Sequence, residues 1–364
     1  MADARMHKVG FIRAYYFPDY VRTKTLLNAL KQIDTVRVFE AINKQAGIFR
    51  YVEALAKLIT IRLLHNPDYY VLGWRGYELF WIVRLLTLGR PLIYDHMMSP
   101  YDSLLHETKS VPKNTLLATL LYQYEKAILK HAQVILTDTP LHTRHLIETF
   151  SVAPDKIIAV PVGTDEELFR RKAPATEKAG GEFLVFFYGS FRPLHGMDVI
   201  LEAADHLKGL PIKFLLVGGS HGDLSSFHSK IEQACLHNVV HREWIPYREL
   251  PDFIRRADLC LGGPFGNTGQ AKRVITGKTF QFMAMAKATV IGALEQDFGF
   301  VDKENCLLVA QGNPLALANA VKWAFEHQDS LDAIGEQGYC LFRKQFSTAR
   351  IAAIIAEIPG VGVS

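Results

Sequence analysis

Residues 183–206 read FLVFFYGSFRPLHGMDVILEAADH, and this stretch decides the fold. It begins with six uninterrupted apolar residues, continues through a loop bounded by Gly189 and Gly196, and then repeats apolar residues at helical spacing. A continuous apolar run predicts a strand buried on both faces, as in a parallel sheet covered by helices. The stretch therefore predicts one strand–loop–helix unit of a parallel α/β domain.

The same unit recurs along the chain, because short apolar runs alternate with longer helical patterns. In the first half the predicted strands are Val9–Ile12, Val36–Phe39, Tyr69–Leu72, Leu92–Tyr94, Val134–Thr137 and Ile157–Val160. In the second half they are Phe183–Tyr188, Phe214–Val217, Val239–His241, Leu259–Leu261, Thr289–Ile291 and Leu307–Val309. Two successive series of this kind predict an α/β protein with two doubly wound, Rossmann-like domains.

A polar segment separates the two series. Leu168–Gly181 lacks an apolar period and contains Pro174 and two adjacent glycines, which is linker composition. We predict a first domain over residues 1–165, a linker over 166–181, a second domain over 182–345 and a C-terminal helical segment over 346–364.

The composition excludes several classes of protein. The 364 residues are 49% hydrophobic and 21% charged, which is ordinary globular usage. No stretch reaches the ~20 apolar residues that a spanning helix needs, and the polar start shows no secretory signal. The four cysteines form no C-x-x-C pair. These features predict a cytoplasmic chain with free thiols rather than a disulfide framework or a zinc site.

Positive charge is concentrated at the start of the chain. Residues 1–90 hold 14 Lys and Arg against 7 Asp and Glu, although the whole chain carries only +4. The excess predicts an anionic partner, and the lack of a Lys/Arg run disfavours nucleic acid. Ile48–His65 and Tyr77–Leu88 are apolar helical patterns with basic residues. They predict either contact with an anionic membrane that presents a lipid-linked acceptor, or core helices whose basic side chains reach solvent.

Several familiar motifs are absent. The Gly277-Lys278-Thr279 sequence lacks the glycine that a P-loop places five residues earlier, and no G-x-G-x-x-G occurs, so no nicotinamide or flavin cofactor is predicted. Neither H-E-x-x-H nor D-x-D is present, and no metal is predicted. His142 and His145 lie three residues apart on a predicted helix without a third ligand, which favours a solvated helix face.

Small residues end several strands of the second half, at Gly189-Ser190, Gly218-Gly219, Gly262-Gly263 and Gly292. Ligands of open α/β sheets bind beyond the carboxyl ends of the strands, where glycine lets the backbone approach them and helix N-termini attract anions. The pattern predicts phosphate binding by the second domain and leaves the first domain for the other substrate. Tight turns without a ligand are the alternative.

Five phrases in order carry a resemblance to a known family. They are Phe187–Gly196, Leu215–Ser220, Glu243–Pro246 with Glu249–Leu261, Lys272–Ile291 and Glu304–Val309. Their order and spacing resemble the carboxy-terminal domain of GT-B glycosyltransferases, specifically glycosyltransferase family 4. Residues 137–169 look like the end of that family's amino-terminal domain. The resemblance covers residues 130–345 well and residues 1–130 in outline.

The resemblance implies two domains facing across a cleft, a C-terminal helix crossing back to the first domain, and metal-independent transfer of a sugar from a nucleotide-sugar donor. The acceptor would be a glycan or a lipid-linked molecule, and the anomeric configuration would be retained. The residues implied as catalytic are His96, Arg273 and Lys278. Those implied in donor binding are Gly189, Ser190, Arg192, His195, Gly218, Gly219, Ile245 and Gln281.

Chemistry supports these roles. When no metal binds a leaving diphosphate, cationic side chains must stabilise its negative charge. Arg donates two parallel hydrogen bonds to a phosphate, whereas Lys acts as a point charge. The alternatives are solvated surface charges for the basic residues and a turn-capping loop histidine for His96.

The chain departs from the family pattern at three positions. The family's pair of glutamates, eight residues apart, is replaced by Arg273 and Gln281, and its lysine before the helix-starting glycine is His195, a cation only part of the time near pH 7. Gln281 retains hydrogen bonding toward a ribose hydroxyl. The departures motivate an alternative: a catalytically weak relative that binds a nucleotide sugar or a protein partner. A nucleotide-sugar epimerase of similar fold would need paired carboxylates, which the sequence does not show.

Overall fold

The structure is a computed structural model that describes residues 6–15, 20–171, 181–219 and 221–358. The chain divides into two compact units. Unit 1 comprises Met1–Thr164 and Phe346–Ser364, and unit 2 comprises Asp165–Gln345. Each unit contains one six-stranded sheet in which all described strand pairs are parallel.

The strands of the unit 1 sheet are β1 (His7–Arg13), β2 (Val36–Ile42), β3 (Tyr69–Leu72), β4 (Leu92–Asp95), β5 (Val134–Thr137) and β6 (Ile157–Ala159), in the order β2-β1-β3-β4-β5-β6. Those of the unit 2 sheet are β7 (Phe183–Gly189), β8 (Ile212–Gly218), β9 (Val239–Arg242), β10 (Leu259–Leu261), β11 (Thr289–Gly292) and β12 (Leu307–Val309), in the order β12-β11-β10-β7-β8-β9. Both orders reverse direction part-way through the sheet, as in doubly wound folds.

The helices follow the strands in alternation. In unit 1 they are α1 (Val21–Lys31), α2 (Phe49–His65), α3 (Phe80–Leu86), the single turn α4 (Pro100–Asp102), α5 (Leu116–His131) and α6 (Pro140–Phe150). In unit 2 they are α7 (Met197–His206), α8 (His221–Gln233), α9 (Leu250–Arg256), α10 (Gly277–Ala284), α11 (Pro314–Glu326) and α12 (Gln328–Gln345). The last helix, α13 (Thr348–Ala356), belongs to unit 1.

Local sequence explains where several helices begin. The Thr139 and Asn313 side chains accept hydrogen bonds from the third residue of α6 and α11, and a proline follows each at the first helical position. The Ser347 side chain likewise accepts a hydrogen bond from the third residue of α13, which begins with a threonine instead of a proline. A side-chain oxygen satisfies a backbone N–H that has no partner within the helix, and proline has no such N–H to satisfy.

Helices cover both faces of the unit 1 sheet. One face is packed by α2, α3, α5 and α6, through side chains such as Leu58, Phe80 and Leu129. The other is packed by α1 and α13, where Leu26 and Ile351 share one apolar cluster. Unit 2 likewise buries apolar side chains on both faces of its sheet. Burial on both faces is the reason that the strands read as continuous apolar runs.

The predicted fold class is confirmed, since all twelve predicted strands are present with ends shifted by no more than three residues. The helical pattern predicted over Tyr77–Leu88 is a short 3₁₀ turn followed by α3. Residues 166–171 of the predicted linker lie in unit 2, where Phe169 is buried against Tyr247. Residues 172–180 of that linker lie outside the described residues. Of the helices described, none combines the length and the apolar content needed to cross a membrane.

Candidate functional site

The carboxyl ends of β7 and β8 approach each other so closely that only glycine fits between them. A methyl group on Gly218 would lie 1.9 Å from the carbonyl oxygen of Gly189, and the φ of Gly218 is +114°. The Gly219 amide donates a hydrogen bond to the same carbonyl at 3.1 Å. An L side chain rarely adopts such a φ. The backbone of Gly189, Gly218 and Gly219 therefore forms one surface at the sheet edge, which we call the glycine surface.

Lys278 lies beside this surface on the first turn of α10. Its side chain is buried, with 6% of the residue exposed, and its Nζ lies 4.7 Å from the centre of the Phe187 ring. A methyl group on Gly189 would be 3.5 Å from its Cε. No carboxylate in the described part of unit 2 forms an ion pair with it, and burial lowers the pKa of Lys278 to about 7. The structure thus holds a buried amine that forms no ion pair with any of the described residues.

His195 is the second polar group at this edge. Its ring packs edge-on against Phe187 at 5.7 Å between centroids, and its Cε1 would lie 2.9 Å from a methyl group on Gly189. Burial, then the nearby Lys278 and Arg192, lower the pKa of His195 well below its ordinary value. The lowered pKa favours the neutral imidazole near pH 7. Its Nδ1 is buried and has no hydrogen-bond partner.

Ser190 and Arg192 continue the loop that follows β7, and both are exposed. Arg192 lies close enough to His195 to affect its pKa electrostatically. Arg273 is half-buried in the segment before α10, where its Nη1 would lie 3.2 Å from a methyl group on Gly269.

Gln281 lies one turn after Lys278 on α10 but contacts a different neighbour. Its side chain is buried and donates a hydrogen bond from Nε2 to the Tyr247 hydroxyl at 3.1 Å, while its Oε1 is buried without a partner. Ile245 is buried in the apolar cluster that contains Phe169. The side chains of Gln281 and Ile245 thus contact Tyr247 and the apolar cluster, and no described contact joins them to Lys278 or His195.

His96 directly follows β4 of unit 1 and is almost completely buried. Its Nε2 lies 2.9 Å from a carboxylate oxygen of Glu125 on α5, and the other oxygen of Glu125 accepts a hydrogen bond from the Tyr101 amide at 2.8 Å. The side chain bonds to Glu125 rather than capping a turn. His96 Nδ1 is buried and has no hydrogen-bond partner among the described residues.

The prediction of a solvated face for His142 and His145 is wrong. His142 is buried, and its Nδ1 lies 2.8 Å from the Asp138 carboxylate one turn earlier. His145 is half-buried, with its Nε2 4.0 Å from Asp102. The helix spacing was right, but this side of α6 faces the protein. Across the described ranges, no three His, Cys, Asp or Glu side chains come together as a metal-binding group.

Sequence reasoning missed three contacts of these residues: Glu125 behind His96, Tyr247 bonded to Gln281, and Phe187 beneath Lys278. Only Glu125 had a signal. It lies seven residues after Ala118 and four before Leu129, so the sequence places a carboxylate on the buried face of α5.

Comparison with known proteins finds a family model that matches most of unit 2. The family model described as "Glycosyl transferases group 1" matches residues 182–327. These residues are similar to a group 1 glycosyl transferase domain. They include the glycine surface, Lys278 and His195, together with the other residues predicted to bind a donor.

Curated glycosyltransferases are also similar to part of the chain. The D-inositol 3-phosphate glycosyltransferases of Nocardia farcinica and Rhodococcus erythropolis are 28% and 25% identical over 197 and 198 residues. Each match covers 50% of this chain and 43% or 44% of the relative. The matched stretch is therefore less than half the length of these relatives.

Solved structures match nearly the whole chain in fold. Anabaena HepE, solved with UDP and glucose, superposes with a TM-score of 0.70 at 15% identity over 96% of this chain and 98% of that one. Sucrose-phosphate synthase from Thermosynechococcus elongatus gives 0.71 at 17% identity over 97% and 98%. The chain thus has the GT-B fold, and the residues that match the group 1 family model lie in its second half.

Proposed function

We propose that the protein transfers a sugar from a nucleotide-sugar donor to a glycan or lipid-linked acceptor, without a metal and with retention of the anomeric configuration. One observation carries the proposal. The amine of Lys278, on the first turn of α10, lies beside the glycine surface and has no carboxylate partner in the part of the chain that the structure describes. An anion bound there would gain a buried cation and helix N–H groups without displacing a protein carboxylate.

The reaction needs charge stabilisation at the leaving group. The bond between the anomeric carbon and the diphosphate oxygen breaks, and a bond to the acceptor hydroxyl oxygen forms on the same face. The proton of that hydroxyl passes to the departing diphosphate. Lys278 and Arg273 would stabilise the negative charge that develops, with Arg192 assisting from its exposed loop. His195, being neutral, would donate an N–H rather than a charge.

Remaining site residues have supporting roles in the proposal. Gly189, Ser190, Gly218 and Gly219 let the backbone approach the diphosphate, and Ile245 and Gln281 shape the wall toward the nucleoside. In unit 1, His96 would contact the donor sugar or the acceptor through its unbonded Nδ1.

The comparisons narrow the first ligands to test. HepE was solved with UDP, with UDP and glucose, and with UDP-glucose, and the curated relatives are named for transfer to inositol 3-phosphate. UDP and UDP-glucose are therefore the first ligands of a panel that extends to other nucleotide sugars. Action in the cytoplasm with peripheral contact to an anionic membrane is part of the proposal, supported by the basic first quarter of the chain.

Binding and turnover together test the proposal. Thermal shift and calorimetry should show that a nucleoside diphosphate stabilises the protein, and a loss of about 10- to 100-fold in affinity is expected for Lys278→Met. The matched control is Lys322→Met, which removes an exposed lysine of the same unit that pairs with Glu326. Release of nucleoside diphosphate from the donor should depend on an acceptor, and proton NMR of the product should show the donor's anomeric configuration.

A catalytically weak binding protein is the second candidate. The arrangement of Gln281 favours it, because this buried amide bonds to Tyr247 where the resemblance implies a carboxylate. Tight nucleotide-sugar binding without transfer or hydrolysis across an acceptor panel would establish this alternative. Absence of binding by any nucleoside diphosphate would contradict both candidates.

A further inference from the structure

Unit 1 exposes large apolar side chains on one side of its sheet. Of the eighteen large apolar residues exposed among those described, fourteen lie between Ile48 and Tyr124, and unit 2 exposes only three. They are carried by α2, α3 and α5 with their adjoining residues. Leu63 is 77% exposed and Leu116 is 76% exposed. We call this set the apolar face and represent it by Val52, Ile59, Leu63, Leu85, Leu117 and Leu120.

The three helices lie side by side, so the apolar face is continuous. Arg62 of α2 donates a hydrogen bond to the carbonyl of Leu88, just after α3, at 3.1 Å. Trp81 of α3 packs against His131 at the end of α5, with 5.1 Å between ring centroids. The Tyr124 hydroxyl of α5 bonds to the Tyr77 carbonyl, just before α3, at 2.7 Å.

Each helix is apolar on two sides. On α2, Leu58 and Ile61 are buried against the sheet, while Ile59 and Leu63 point outward. On α5, Ile128 and Leu129 are buried, while Leu117 and Leu120 are exposed. Surface helices ordinarily place polar residues on the outer side, and a contiguous apolar patch marks a surface that another body covers.

The charges around the face indicate what covers it. Residues 48–131 contain ten Lys and Arg against seven Asp and Glu. Four of those carboxylates are buried, namely those of Asp95, Asp102, Glu107 and Glu125. The other three are partly buried, and Glu53 and Glu78 accept hydrogen bonds from basic side chains. Exposed charge in this segment is therefore positive, as at Lys113 and Lys130.

We propose that the apolar face is a docking surface for an anionic lipid membrane. Its leucines would enter the boundary between headgroups and acyl chains, Trp81 and Tyr124 would lie at headgroup level, and the lysines would attract anionic lipids. A second copy of the chain is a less suitable partner for the apolar face, because a two-fold contact would bring the same lysines of both copies together and they would repel each other.

The inference rests on the membrane contact included in the proposed function and assigns that contact to three helices of unit 1, without depending on donor chemistry. Vesicle flotation tests it with the full chain. Vesicles of phosphatidylcholine with one third phosphatidylglycerol should carry the protein upward at low salt, and pure phosphatidylcholine vesicles should carry much less. High salt should weaken the interaction, because it screens charge attraction.

The decisive variant removes one leucine from each helix: Leu63→Gln, Leu85→Gln and Leu120→Gln together. We expect vesicle affinity to fall by at least ~10-fold, since the lost apolar burial exceeds 1.4 kcal/mol. The matched control is Leu315→Gln, an exposed leucine of unit 2, which should float like the natural protein. Stabilisation by UDP should be unchanged in both, so failure of docking and failure of donor binding are told apart.

Three results would overturn the proposal. The first is absence of flotation of the natural protein on anionic vesicles at low salt. The second is equal flotation of the triple variant, verified as folded by circular dichroism. The third is a dimer of the natural protein in light scattering that becomes monomeric in the triple variant without any vesicle binding. If the triple variant does not fold, Lys113→Gln with Lys130→Gln replaces it, and unchanged flotation of that variant would contradict the proposal.

Discussion

The amine of Lys278 lies 4.7 Å from the centre of the Phe187 ring within unit 2, and no carboxylate of the described ranges forms an ion pair with it. Phe187 comes from the middle of the domain's first strand and Lys278 from a helix that begins 90 residues later. The amine of Lys278 packs on the apolar Phe187 ring and is shielded from water. Because burial disfavours the charged amine, the pKa of Lys278 falls to about 7.

Titration of Lys278 should couple nucleotide binding to pH. Bound diphosphate favours the charged amine, so the protein should take up a proton on binding above about pH 7, and affinity should fall by up to about tenfold per pH unit toward pH 9. Calorimetry in buffers of different ionisation enthalpy measures the uptake. The dependence should disappear in Lys278→Met and persist in Lys322→Met.

The same titration affects the stability of the free protein. Because the pKa of Lys278 is lowered on folding, from 10.5 to about 7, the unfolded chain binds more protons between those values. The free energy of unfolding should therefore rise with pH across this window, and Lys278→Met should flatten that rise. Denaturant unfolding at several pH values tests this, and a slope unchanged by the substitution would show that the amine is not buried.

His195 should act as an uncharged hydrogen-bond donor. We expect His195→Gln, which retains a neutral donor, to keep most of the affinity for nucleoside diphosphate, and His195→Leu to lose about tenfold. Equal losses in the two variants would instead indicate that the imidazole binds as a cation.

Gly218 should be intolerant of a side chain. A methyl group there would lie 1.9 Å from the Gly189 carbonyl oxygen and would impose a φ of +114° on an L residue. We expect Gly218→Ala to lower the free energy of unfolding by about 2–4 kcal/mol. Gly209→Ala is the control, because Gly209 has a φ of +83° but no atom near its missing Cβ, so it isolates a backbone cost of about 1 kcal/mol. Similar losses in the two variants would contradict the close approach.

His96 should affect turnover rather than donor binding. We expect His96→Ala to lower kcat by about 10²-fold while the Kd for UDP stays within about twofold. His106→Gln, an exposed histidine of the same unit, is the control and should leave both unchanged. A large change in UDP affinity with normal kcat would assign His96 to another role.

The fold was predictable from sequence because burial on both faces makes every strand a continuous apolar run, and β7 and β8 show this clearly. The position of the glycine surface followed from the rule that parallel strands end at one edge. His142 could not be placed, because helical spacing does not tell which side of α6 faces the sheet.

Contacts between segments that are distant in the chain could not be predicted from the sequence either. Nothing in the local pattern pairs Phe187 with Lys278 or Tyr247 with Gln281, since these contacts depend on how strands and helices pack. The apolar residues of α2 and α5 show helical periodicity in the sequence. Only the three-dimensional packing separates those that are buried from those that are exposed. The roles of the site residues stay predictions.

A crystal structure of the protein with a nucleoside diphosphate tests the central claim most directly. The account predicts the diphosphate at the glycine surface, with Lys278 Nζ within hydrogen-bond distance of a phosphate oxygen and His195 donating to the same group. A nucleotide bound elsewhere in the chain, or bound at this edge with Lys278 still in contact with Phe187 alone, would contradict it.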